Sequence, residues 1–96
     1  MKIKSQPITD VDLTDKVVVL KENVLQAHYR TIGNRLHRAT GGFGCSPNTI
    51  GRAVFANCLG DGKDERWDRG DFEGWITDDE ANALMVKERV IGKQSA

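Results

Sequence analysis

The chain has 96 residues, a formal net charge of zero and 39% hydrophobic residues. That length suits one small domain with a modest core and leaves little room for a large enclosed cavity. Zero net charge argues against a generic nucleic-acid binder, and the lack of an 18-residue apolar run argues against a membrane-spanning helix.

Residues 1–14 are weakly patterned. Lys2-Ile3-Lys4 suits a short edge strand that Pro7 ends, and 1–14 and 93–96 are expected to be poorly ordered. The start MKIKSQPITD carries no apolar run after its lysines, so the reading is a cytoplasmic protein with reduced thiols. Lys16–Lys21 (KVVVLK) is the clearest strand, β-branched residues between charges.

Residues 23–38 admit two readings. In the preferred one, Gln26–Ile32 and Arg35–Thr40 are strands about a Gly33-Asn34 turn. In the other, Val24, Leu25, Tyr29, Ile32 and Leu36 form the stripe of a helix.

Residues 41–76 hold eight of the ten glycines, both cysteines and both tryptophans. Gly41–Gly44 predicts a bend around Phe43. Ser46-Pro47 predicts an N-cap and first helical position, with a short turn reaching Gly51. Arg52–Leu59 predicts a central strand with Ala53, Phe55 and Asn57 on one face and Val54, Ala56 and Cys58 on the other. Gly60-Asp61-Gly62-Lys63 is a hairpin turn. Glu65–Ile76 returns as one strand or two, with Gly70 and Gly74 at bulges or bends. Thr77 and Glu80 form a capping box for a terminal helix whose stripe is Ala81, Leu84, Met85 and Glu88, ending at Gly92. The fold class is therefore mainly β (α+β): a small curled antiparallel sheet or partly open barrel of about five or six strands, with one C-terminal helix plugging an end or covering an edge.

Charge is uneven along the chain. Arg30, Arg35, Arg38 and Arg52 precede nine acids between Asp61 and Glu80. Cross-strand neutralisation is the plain reading. The functional alternative is a nucleic-acid-binding small barrel that uses Tyr29, Arg30, Arg35, Arg38 and Arg52.

Reaction signatures are missing. Pro47 stands where the dinucleotide loop needs glycine, and no Gly-Lys-Ser/Thr exists. Cys45 with His37 or His28 is the one plausible nucleophile–base pair, and adding Cys58 gives a zinc ligand count without zinc spacing. The acids from Asp61 fail the EF-hand order at Lys63 and Arg66. No cofactor, metal or catalytic residue is expected. Trp67 between Arg66 and Arg69 has the composition of a binding hot spot, and Phe43 stands out on its bend. The favoured function is a small non-catalytic binding or regulatory protein with a protein partner, contacting it through Trp67, Arg66, Arg69 and Phe43; two sheet edges also leave room for a homodimer.

Across residues 28–76, Gly-Phe-Gly-Cys-Ser-Pro, Ile-Gly-Arg-Ala-Val-Phe and Arg-Trp-Asp-Arg-Gly-Asp-Phe-Glu-Gly resemble small uncharacterised proteins of Gram-positive plasmids, prophages and conjugative elements. The resemblance implies an accessory protein of a mobile element and supplies no catalytic residue.

Overall fold

Two strands joined by only three residues lie at opposite edges of one sheet. β1 (Val17–Leu20), β2 (Leu36–Gly41), β3 (Ala53–Cys58), β4 (Asp64–Asp68) and β5 (Phe72–Ile76) pair in the order β4-β3-β2-β1-β5, every pair antiparallel. Five flat strands would hold the outer two about 19 Å apart. The link from Asp68 to Phe72 spans at most about 14 Å. The sheet must therefore curl, and Arg69–Asp71, a single 3-10 turn, makes the corner between its edges. Asp68 caps that turn by accepting from Gly70 N, while Asp71 accepts from Asp68 N. The computed structural model describes the backbone of residues 3–24 and 31–95 and their side chains as far as Glu88, Asn23 excepted.

The curl creates two apolar layers. Inside it, Val18, Leu20, Ala39, Val54, Ala56 and Phe72 pack with Leu13 and Cys45. On the outer face of β1, β2 and β5, Val17, Val19, Leu36 and Ile76 pack with Ile3, Ile32 and Ala81. Burial on both faces explains why β1 reads as an unbroken apolar run rather than an alternating one. The outer layer is roofed by α2 (Asp78–Ser95), whose Leu84 and Met85 lie against it. Ala81, Leu84 and Met85 of the helix thus cover part of this outer face. Its capping box is formed as the sequence requires: Glu80 N donates to Thr77 Oγ1 at 3.1 Å and Thr77 N to Glu80 Oε1 at 3.1 Å.

Several local expectations are corrected. A one-turn helix, α1 (Ile32–Arg35), stands where a strand and a Gly33-Asn34 turn were expected. Thr31 Oγ1 accepts from Asn34 N, and Glu88 reaches across from α2 to accept from the N–H groups of Ile32 and Gly33. Those caps satisfy donors that a lone turn would leave open. Glu22–Val24 is a 3-10 turn, and the rest of the expected strand, Gln26–Arg30, lies outside the described residues. Ser46-Pro47 opens no helix. Ser46 Oγ accepts from Asn48 N in a local turn, and the short helical turn falls earlier, at Phe43–Cys45. Lys2-Ile3-Lys4 makes no strand among its described residues; the N-terminal segment instead bridges to β5 at Gln6, which exchanges two backbone bonds with Trp75 at 2.9 Å. Gly92 does not end α2, which continues to Ser95.

The core includes a titratable imidazole. His37 is only 2% exposed, its ring edge-on to Trp67 with centroids 5.3 Å apart. Burial holds its pKa below the ordinary imidazole value, against a smaller opposing pull from the Arg35 backbone and Asp61. Below about pH 6.5 the unfolded chain then binds a proton that the folded chain resists. Stability is full above that pH and falls as the pH drops through it towards the lower folded value. The urea midpoint should decline between pH 7.5 and pH 5, and the decline should shrink in His37→Leu, a comparison that separates this ring from His28. An equal decline in both proteins would remove His37 as its source.

Candidate protein-binding surface

The loop from Gly42 to Arg52 is built by close backbone packing. Gly42 has a φ of 106°, in the region that favours glycine. A Cβ on Gly44 would stand 2.2 Å from Arg52 O, and one on Gly51 would stand 2.4 Å from Phe43 Cβ. Side chains stitch the loop further: Thr49 Oγ1 donates to Phe43 O at 2.6 Å, and Ser46 N to the same oxygen at 3.2 Å. Arg69 secures the loop from below. Its guanidinium donates to the carbonyls of Gly44 and Cys45 and, on the other side, of Ile8 and Val11, at 2.5–3.0 Å.

This stiff loop and the adjoining strand hold apolar side chains in water. Phe43 is 75% exposed, Ile50 102% and Phe55 50%. Each aromatic residue lies against a glycine of the loop: Phe43 over Gly51, and the Phe55 ring 3.1 Å from where a Cβ on Gly42 would stand. Opposite Phe55 in the β3–β4 register stands Arg66, exposed and, among the described arginines, the one with neither an ion pair nor a hydrogen bond. A groove lined by Thr40, Phe55, Asp64 and Arg66 runs beside them. An aromatic pair with an unpaired guanidinium is the composition of a binding hot spot, and a loop that is already ordered loses little entropy on binding.

The residues singled out from sequence separate into two groups. Phe43 and Arg66 face solvent. Trp67 is half-buried against the inner core, its ring against His37 and Phe72. Its Nε1 and His37 Nδ1 are buried without a hydrogen-bond partner. Trp75, on the opposite edge, packs on the same core, and Lys16 Nζ lies 5.3 Å from its ring centre. Arg69 is spent on the four carbonyls. Phe55 and Ile50 were missed. Alternation had put Phe55 on the face away from Val54 and Ala56, but a strand apolar on both faces reads as covered on both. Nothing in the sequence marks Ile50 as projecting.

The described arginines of the nucleic-acid alternative, Arg35, Arg38 and Arg52, have acidic partners. Arg35 is buried, with Glu73 at 3.0 Å and Leu20 O as acceptors. Arg38 pairs with Asp78 at 3.0 Å, and Arg52 grips Asp68 with both Nε and Nη2. The Arg52 guanidinium, ahead of the Gly70 N–H, holds the Asp68 carboxyl below the usual carboxylate range. Tyr29 and Arg30 lie outside the described residues. A concavity of about 550 Å³ places Lys21, Arg52 and Arg69 against Asp10 and Glu73, so its charge is mixed.

Both thiols are buried and point at backbone carbonyls, Cys45 Sγ to Gly41 O at 3.2 Å and Cys58 Sγ to Gly33 O at 3.6 Å. Burial pushes both pKa values up, which favours the unreactive thiol form. Among the described residues no group of three or more His, Cys, Asp or Glu could hold a metal ion; His28, the fourth member of the zinc set, lies outside them. No described helix is long and apolar enough to cross a membrane. No protein-family model, no curated protein and no solved structure matches the chain.

Proposed function

We propose that this is a non-catalytic binding protein that captures a protein partner on the Phe43–Ile50–Phe55 platform, with Arg66 as its charged contact. The observation that carries the reading is three large apolar side chains held in solvent, Phe43 and Ile50 by a tightly packed loop and Phe55 by the adjoining strand β3. Trp67 and Arg69, two of the four contacts expected from sequence, act beneath this surface as supports. Three of the five residues of the nucleic-acid alternative already face carboxylates, so the protein-partner reading is preferred. The setting we propose is the cytoplasm, as part of a mobile genetic element, on the strength of the resemblance across residues 28–76.

Peptide-display selection on the immobilised protein tests the platform. Selected peptides should bind Phe43→Ala at least about tenfold more weakly, the loss of one hot-spot contact. Phe43 is mostly exposed, so its truncation should leave the denaturation midpoint nearly unchanged. Peptides that bind the variant as well as the parent would remove Phe43 from the site.

A further inference from the structure

We propose that the chain pairs with a second copy of itself along the free edge of β4, in one register that sets Asp64 of each copy opposite Arg66 of the other. The two sheet edges differ. That of β5 is partly covered by the Gln6 bridge, whereas among the described residues nothing pairs with the outer edge of β4.

Hydrogen-bond parity shows which groups that edge offers. The β3–β4 ladder is bracketed by Cys58 N to Lys63 O at 2.9 Å and Arg69 N to Arg52 O at 2.8 Å. Antiparallel ladders alternate between bonded and non-bonded pairs. Glu65 and Trp67 therefore bond inward to β3, and the backbone groups of Asp64, Arg66 and Asp68 point outward. Asp68 N is already given to Asp71. Asp64 and Arg66 remain as residues with both N–H and C=O available.

A two-fold antiparallel pairing must keep like faces together, so its centre falls on a residue rather than between two. Centred on Arg66, it sets two guanidinium groups face to face and needs the occupied Asp68 N. Centred on Trp67, it needs that donor again and an Asp68 carboxylate already held by Arg52. Centred on Glu65, it gives four backbone hydrogen bonds between Asp64 and Arg66 of the two copies, with two opposite-charge pairs on the outer face. Among the described residues Arg66 has no partner, and Asp64 has only Asn57 Nδ2 at 3.0 Å. Such self-complementarity is what an isologous interface requires. Its weak point is Glu65 opposite Glu65, like charges that keep the association modest.

Sedimentation velocity across a concentration series tests this. The parent chain should move reversibly towards dimer. Arg66→Asp and Asp64→Arg should each weaken self-association about tenfold or more, since two opposite-charge pairs become two repulsive ones. An equimolar mixture of the two variants should associate again, because each supplies the charges the other needs. Glu65→Gln should tighten the dimer. A chain that stays monomeric, a dimer indifferent to Arg66→Asp, a mixture that fails to associate or a weakened Glu65→Gln dimer would each overturn the proposal. Arg66 belongs to both surfaces, but Phe43→Ala should weaken peptide binding and leave self-association unchanged, so failure of one reading is distinguishable from failure of the other.

Discussion

Arg69→Ala should lose about 3–4 kcal/mol of stability in urea unfolding, a cost comparable to truncating a core side chain. Its guanidinium joins two stretches of chain, Ile8–Val11 and Gly44–Cys45. Truncation would leave four carbonyls short of a charged donor in a half-buried site. Arg69→Lys should recover less than half of the loss, because an ammonium is a point donor and cannot span acceptors on two sides. Arg69→Met keeps most of the apolar stem and should resemble alanine if hydrogen bonding dominates. A cost below about 1 kcal/mol would mean that water replaces the guanidinium freely.

Gly44→Ala should cost about 2–4 kcal/mol and abolish platform binding as well. The new Cβ would meet Arg52 O at 2.2 Å and Arg52 C at 2.3 Å, both backbone atoms, so no flexible side chain can give way. The loop would have to move off β3, carrying Phe43 with it. Gly41→Ala is the matched control: a Cβ there meets nothing within 4 Å, and stability should hold. Equal midpoints for the two variants would refute the close-packed loop.

Elements governed by local chemistry could be read from the sequence. The alternation of β3, the Gly60–Lys63 hairpin and the Thr77–Glu80 cap all depend on residues a few positions apart. The charge pattern was also legible, since Arg35, Arg38 and Arg52 meet Glu73, Asp78 and Asp68. Features that depend on distant parts of the chain were hidden. No spacing rule places β4 and β5 on opposite edges, because the three-residue corner between them resembles a bulge. Arg69 looks like a surface cation until the N-terminal segment crosses it. Trp67 among charges looks exposed until His37 and Phe72 arrive from other strands. Phe55 was missed for the opposite reason: an aromatic in an apolar strand signals a core, and only the position of α2 decides which part of the outer face stays bare.

The placement of β1 bears on how the molecule assembles. Its two neighbours come from distant parts of the sequence: Val17 lies between Arg38 and Ile76. While the polypeptide is being synthesised, β1 through β4 can gather, but one side of the most deeply buried strand stays bare until the last strand emerges. Closing that loop of nearly sixty residues carries a large entropic penalty before any contact rewards it. β5 and α2 therefore act as a latch on the nascent chain, closing the sheet only after β1 to β4 have gathered.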